Sequence, residues 1–253
     1  MQHSLPFLID FDGVLKINNS PAPDMKYFLS FLSQNKIRAC IISNSTLRTG
    51  DLVTNFFNLQ SIELVIPAIT AFDSTLSYVK KHYKKVAVYC NENLIHHFKE
   101  IIDFSNPEAV VIGDIGDRWN YTVMNEIFRF VYNGADFITM HKNKFWKPES
   151  QLILDAGAFV SAIEFAAGRE ATVIGKPSSL YFKSALEIIG ADPEGGFIMI
   201  GDDIENDIGA AQKAGGKGVL IYTGKTAYPH NHQKIKPDFE VNTLTEVTTL
   251  NLV

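Results

Sequence analysis

The feature that most constrains this chain is a set of short, mostly apolar runs that stop abruptly at polar residues. Leu5-Pro6-Phe7-Leu8-Ile9 ends at Asp10-Phe11-Asp12-Gly13, and Arg38-Ala39-Cys40-Ile41-Ile42 ends at Ser43-Asn44-Ser45-Thr46. Phe197-Ile198-Met199-Ile200 ends at Gly201-Asp202-Asp203. Such runs suit strands buried on both faces of a parallel sheet. Between the first two, Tyr27, Phe28, Phe31 and Leu32 recur at helical spacing in a segment opened by Ser20-Pro21 and closed by Asn35. Leu52, Val53, Phe56 and Phe57 repeat that spacing after the second run. The β-α-β-α order predicts a doubly wound, Rossmann-like sheet.

The alternation continues beyond Pro67. Helices are expected over Thr70–Lys81, Leu94–Ile102, Tyr121–Tyr132, Gly157–Ala167, Ser179–Ile189 and Asp207–Ala214. Strands are expected over Val86–Tyr89, Ala109–Ile112, Asp136–Met140, Thr172–Pro177, Phe197–Ile200, Gly218–Tyr222 and Phe239–Val241. A chain of 253 residues with this many units exceeds one compact sheet, since single cores stop growing near ~250 residues. The simplest partition is an α/β core of residues 1–68 and 173–253 with an inserted α/β cap domain of residues 69–172. No repeat or low-complexity linker marks the junctions.

Composition narrows the function class. Hydrophobic residues make up 46% and charged residues 20% of the chain, which excludes a disordered or fibrous protein. The net charge of −5 argues against a general nucleic-acid binder, and the lone basic cluster Lys80–Lys85 is read as a solvated helix end. No run approaches the ~20 apolar residues of a membrane span. The N-terminus lacks the basic and apolar regions of a signal peptide, and Cys40 and Cys90 fall in apolar runs as buried small hydrophobes. The expectation is a soluble, cytoplasmic protein in which Asn120-Tyr121-Thr122 never meets the glycosylation machinery.

Four strand ends carry candidate chemistry, and open parallel sheets bind ligands outside the carboxyl ends of their strands. Residues i and i+2 of an extended chain point the same way, so Asp10 and Asp12 could lean into one site while Phe11 turns to the core. An Asp-Gly pair also simply ends strands. Asp202 and Asp203 follow a greasy strand; Glu205 and Asp207 suit a helix N-terminus in any case. If Asp10, Asp12 and Asp202 converge within ~4 Å, each pair repels by ~4 kcal/mol at an effective dielectric near 20, and a cation is needed. An all-oxygen set without His or Cys points to Mg²⁺ rather than zinc. Lys176, alone an ordinary surface lysine, becomes beside such a site a fixed positive charge for a phosphoryl group or for a carboxylate. Ser43 and Asn44 offer an anion-binding helix start, or merely a helix cap.

Asp-x-Asp-Gly-Val (10–14), Ser-Asn (43–44), Gly-Lys-Pro (175–177) and Gly-Asp-Asp-x-x-x-Asp (201–207), in that order and at strand ends, resemble the motifs of the haloacid dehalogenase-like phosphatases. The insert resembles the large α/β (type IIA) cap of one subgroup, and the stretches GAFVSAIEFAAGREATVIGKPS (157–178) and MIGDDIENDIGAAQKAG (199–215) are similar to that subgroup as well. That subgroup holds p-nitrophenyl phosphatase-like and phospholysine phosphohistidine inorganic pyrophosphate phosphatase-like members. The resemblance implies a phosphoric monoester hydrolase of small phosphorylated substrates. Asp10 would be the nucleophile that forms an aspartyl-phosphate, and Asp12 the general acid and base with a pKa raised by its acidic neighbours. Mg²⁺ would rest on Asp10, the Asp12 carbonyl and Asp202. Ser43, the Asn44 backbone and Lys176 would hold phosphate, and Asp203 and Asp207 would order the metal shell and Lys176.

Alternatives are a phosphotransferase or mutase on the same intermediate, and a non-catalytic phosphate-ligand-binding protein. A homodimer is expected by family analogy alone. Ser45 replaces a second Asn of many relatives, and Leu154-Asp155-Ala156-Gly157 replaces a Pro-Gly-rich turn. His141 and Lys142 read as a solvated loop pair that could otherwise contact substrate. Gly218 to Gly224-Lys225-Thr226 imitates a P-loop, but five residues separate the glycines and begin as a strand. Adjacent His96 and His97 cannot share a helix face.

Overall fold

The structure, a computed structural model, describes residues 4–146 and 151–252; the first three residues, read above for a leader, lie outside them. The chain divides into two compact units, one of Met1–Ser43, Gly50–Ile69 and Lys176–Val253, the other of Asn44–Thr49 and Thr70–Gly175. Against the expected junctions at 68/69 and 172/173, the division falls one and three residues later, and residues 44–49 group with the second unit.

The first unit holds a six-stranded sheet in the order Phe239–Val241, Lys217–Ile221, Ile198–Gly201, Phe7–Asp10, Ala39–Ser43, Ala68–Thr70. The first five of these pair in parallel. The chain's first strand is central, and the strand order runs in opposite senses on its two sides. Its carboxyl end, Asp10, is therefore a topological switch point, where such sheets open a ligand crevice.

Alternate side chains serve two apolar layers, as the two-residue period of a strand requires. Phe7, Ile9, Ile41, Ile198 and Ile200 pack with Met25, Phe28 and Leu32 of helix Met25–Gln34 and with Val53 and Phe57 of helix Gly50–Leu59. Leu8, Cys40, Ile42 and Met199 pack with Tyr181, Phe182, Ala185 and Leu186 of helix Ser179–Ile188. Burial pushes the thiols of Cys40 and Cys90 up to about 12, so both behave as small hydrophobes.

Three local features depart from the expected elements. The helix expected from Ser20 begins at Met25, because Lys16–Ile17 and Ser20–Pro21 form a small antiparallel hairpin. Its turn residues Asn18 and Asn19 adopt φ of 47° and 63°, a pair of left-handed positions that Asn tolerates. The expected helix 94–102 is only Glu92–Ile95 plus a single turn at His96–Phe98. It stops there because the Val86 N–H donates to the Ile101 carbonyl (2.8 Å), drawing the chain to the sheet edge. The helix expected at 207–214 begins earlier, as a wide turn over Ile204–Gly209 followed by Ala210–Lys213.

The second unit has its own four-stranded parallel sheet, ordered Thr172–Val173, Asp136–Thr139, Ala109–Ile112, Val86–Tyr89. Helices Ala71–His82, Tyr121–Tyr132 and Ala156–Ala167 belong to it. Thr70 and Asp73 form a reciprocal capping box, and the Asn120 side chain accepts the Val123 N–H at 3.0 Å. His141 and Lys142 are not the solvated pair expected. His141 is buried with Nε2 3.6 Å from Asp155 Oδ1, while Lys142 pairs with Glu164 at 2.5 Å. Burial keeps the imidazole below its ordinary range against the pull of Asp155 and Asp114. No helix among the described residues is long and apolar enough to cross a membrane.

In the first unit the buried Tyr181 hydroxyl donates to the carbonyls of Ser43 (2.7 Å) and Ile69 (3.0 Å), joining the carboxyl ends of two neighbouring strands. Tyr181→Phe is expected to lower unfolding free energy by about 1–3 kcal/mol, read as a shifted urea midpoint at unchanged slope.

Candidate active site

The central strand delivers Asp10 to the switch point, and the chain turns immediately afterwards. The Phe11 carbonyl accepts the N–H groups of Leu15 (3.0 Å) and Lys16 (2.9 Å). The Phe11 ring is fully buried, edge-on to Phe56 and Phe57 with centroids 5.4 and 5.7 Å apart. Phe11 therefore turns to the core as expected, but Asp12 does not follow Asp10. Extended geometry ends at Asp10, so the two-residue alternation no longer applies. The Asp12 side chain is half exposed and ion-paired with Lys16 at 2.9 Å. It lines a polar cavity of about 260 Å³ with Gly13, Lys16, Asn18, Thr223 and Gly224. The expected convergence of the Asp12 carboxylate with Asp10 and Asp202 is thus corrected.

The buried acidic group consists instead of Asp10, Asp202 and Asp207, with one carboxylate oxygen from each within 4.8 Å of the others. Lys176, only 3% exposed, reaches into it. Its Nζ lies 2.7 Å from Asp10 Oδ1 and 2.6 Å from Asp207 Oδ1. Two glycines of the motifs sit where no side chain fits. A Cβ at Gly201 would collide with the Asp207 carboxylate. A Cβ at Gly175 would come within 2.5 Å of Asn44 Oδ1 and of the Met140 carbonyl.

Asp207 spends its second oxygen, Oδ2, on the Asp203 N–H (3.1 Å). With protein donors on both oxygens, it anchors Lys176 rather than offering a free ligand. Asp203 caps the following turn, its Oδ1 accepting the N–H groups of Glu205 and Asn206 at 3.0 Å. Its Oδ2 pairs with Lys225, a residue that motif spacing does not select. Ser43 is buried at the last position of its strand. Asn44 follows it and groups with the second unit.

The electrostatics follow from this packing. Burial, aided by Asp207 and Asp202, pushes Asp10 well above the ordinary carboxylate range despite Lys176. Burial likewise raises Asp207, with Lys176 opposing it. Burial and the charge of Asp207 raise Asp202 to about 6, against the Lys225 N–H. Asp203 is only partly buried, and against that burial the donors of Lys225 and Asn206 hold it below its usual range. Burial works against the Lys176 charge, but Asp10 and Asp207 outweigh it and raise the ammonium further. Fully ionised, the three carboxylates and the ammonium would carry a net charge of −2, and the ligand atoms on offer are all carboxylate oxygens; that set fits a hard divalent cation.

A raised Asp202 means that the folded state binds this proton more tightly than the unfolded state does. The resulting stability is complete below the unfolded value near 4 and is lost as pH rises through about 6. In chelator, the protein is expected to be more stable at pH 5 than at pH 7 by about 1–2 kcal/mol. Thermal melts should show Asp202→Asn removing much of that difference and raising stability at pH 7.

Comparison with known proteins gives the family. Residues 7–101 match the family model described as haloacid dehalogenase-like hydrolase, and residues 173–247 match a second described as HAD-hydrolase-like. The chain is 32% identical over 219 residues to the haloacid dehalogenase-like hydrolase domain-containing protein 2 of Bos taurus, covering 86% of this chain and 84% of that protein. It is 34% identical over 223 residues to the phospholysine phosphohistidine inorganic pyrophosphate phosphatase of Rattus norvegicus, covering 86% and 80%. Among solved structures, the p-nitrophenyl phosphatase from Archaeoglobus fulgidus superposes with a TM-score of 0.88 at 25% identity, covering 97% of this chain and 98% of that one. NagD from E. coli shares the fold across the full length of both chains, with a TM-score of 0.85. With its motifs at the ends of parallel strands and relatives matched over most of their length, the chain belongs to the haloacid dehalogenase-like hydrolases, in the subgroup with an inserted α/β unit.

Proposed function

We propose that this hydrolase is a Mg²⁺-dependent phosphatase of small phosphorylated compounds that works through an aspartyl-phosphate on Asp10. The observation that carries the reading is the buried Asp10–Lys176–Asp207 network with the Asp202 carboxylate beside it. Lys176 engages Oδ1 of Asp10, which biases attack to Oδ2. An oxygen of Asp10 adds to phosphorus as the leaving oxygen departs with a proton, and water then cleaves the acyl phosphate. Asp12 is the acid and then the base. Its place on the turn beyond Asp10, half exposed beside Lys16, gives it access to solvent protons.

Asp10, the Asp12 carbonyl and Asp202 would hold Mg²⁺. Bound there, the ion neutralises charge on the transferring phosphoryl group. Ser43, the Asn44 backbone and Lys176 bind phosphoryl oxygens, while Asp203 and Asp207 fix Lys176 and the acidic turn. The inserted segment, expected at 69–172, serves as the cap that selects substrate. The rat relative is named for phospholysine, phosphohistidine and inorganic pyrophosphate, and the archaeal structure for p-nitrophenyl phosphate. Small phosphoanhydride, phosphoramidate and activated ester substrates are the natural first panel.

Phosphate release from p-nitrophenyl phosphate is expected to need Mg²⁺, to stop in excess chelator and to recover on re-addition. Asp10→Asn should lower kcat by about a thousandfold or more, and Asp12→Asn by about a hundredfold or more. Undiminished turnover by Asp10→Asn would remove the aspartyl-phosphate from the mechanism.

A further inference from the structure

The segment Thr223-Gly224-Lys225-Thr226, which imitates a P-loop in the sequence, makes its contacts with the acidic group itself. The Lys225 N–H donates to Asp202 Oδ2 at 2.6 Å, and the Thr226 N–H donates to the Asp202 carbonyl at 3.0 Å. Both ends of the segment are fastened. Thr223 Oγ1 donates to the Gly13 carbonyl at 2.5 Å, and Thr226 Oγ1 accepts the Ile204 N–H at 3.2 Å. The segment thus spans from the turn after Asp10 to the turn after Asp203, across the carboxylate between them.

At position 224 nothing larger than glycine fits without displacing its neighbours. A Cβ at Gly224 would collide with Asp202 Oδ2 and come within 2.9 Å of Gly13 Cα. Gly13 faces the same carboxylate from the other side at φ +91°, where a Cβ would collide as well. Asp202 is therefore gripped by backbone. One of its oxygens is taken by an N–H group, and Oδ1 has no protein donor among the described residues. The Lys225 side chain meanwhile occupies Asp203.

We propose that Thr223–Thr226 is a positioning element of the metal site, in which the Lys225 N–H fixes Asp202 Oδ2 so that Asp202 meets a divalent cation through Oδ1 alone. The proposal rests on Asp202 being a metal ligand. Mg²⁺ demands near-octahedral geometry, which a carboxylate meets through one oxygen more readily than through the tight bite of two. Groups that orient a ligand in this way typically control about 10–100-fold in metal affinity.

The test measures Mn²⁺ binding to the full chain by electron paramagnetic resonance, with Mg²⁺ as competitor and no substrate present. Gly224→Ala and Lys225→Pro are expected to weaken binding by about tenfold or more. Lys225→Met, which keeps the N–H, should retain most of the affinity that Lys225→Pro loses. Equal binding by wild type, Gly224→Ala and Lys225→Pro would overturn the proposal, as would equal losses in Lys225→Met and Lys225→Pro.

Wild type carries an independent readout that needs no loop variant to fold. Its Lys225 amide proton should lie far downfield in the nuclear magnetic resonance spectrum, shift on adding Mg²⁺, and move upfield in Asp202→Asn. A Lys225 amide unmoved by saturating Mg²⁺ would count against the loop. Mn²⁺ affinity identical in wild type and Asp202→Asn would instead remove Asp202 from the metal site, and the loop's role with it.

Discussion

The Lys176 ammonium holds the rest of the site together. Three carboxylates with oxygens inside 4.8 Å repel one another by about 3–4 kcal/mol per pair at an effective dielectric near 20. Contacts of 2.6 and 2.7 Å to Asp207 and Asp10 offset this from the centre. A surface ion pair of the same geometry would contribute little. Here both partners are buried, so loss of the ammonium would strand carboxylates away from water. The glycines of the motifs are explained by the same crowding, since Gly201 admits Asp207 and Gly13 and Gly224 admit Asp202.

Much of this was legible in the chain. Apolar runs ending in Asp10, Ser43 and Gly201-Asp202 report strands buried on both faces, and the sheet places them at neighbouring carboxyl ends. Lys176 could be read only in combination with the acids, because a lysine between Gly and Pro carries no burial signal of its own. Asp12 misled because the i, i+2 rule holds only while the backbone stays extended, and the turn at Phe11 ends that one residue too soon. Its sign was present in Asp12-Gly13, a turn pair that also explains how Gly13 reaches φ +91°.

Other features were illegible for a different reason: they depend on partners far along the chain. His141 looks like a loop residue until Asp155, distant in sequence, is folded against it. Lys225 looks like a failed phosphate loop until its strand, Lys217–Ile221, lies beside Ile198–Gly201 and brings the following turn onto Asp202. Hydrophobic period reports which face of an element is buried, but not which polar groups the next strand in the sheet will supply. The small hairpin at 16–21 escaped for a third reason, since two-residue strands are too short to show any period.

The tie between Lys176 and Asp10 joins residues 166 positions apart. Closing a flexible loop of that length would cost about 4–5 kcal/mol in chain entropy. Most of the intervening segment is not flexible: residues 70–175 form a unit with its own sheet and cores, and the two ends of that stretch meet, with Gly175 close to Ala71. Once that unit has formed, Lys176 emerges beside the place where the chain entered. The central strand then gains its counter-charge across a far shorter effective gap. The fold of the insert thereby lowers the chain-entropy cost of bringing the acidic cluster its ammonium.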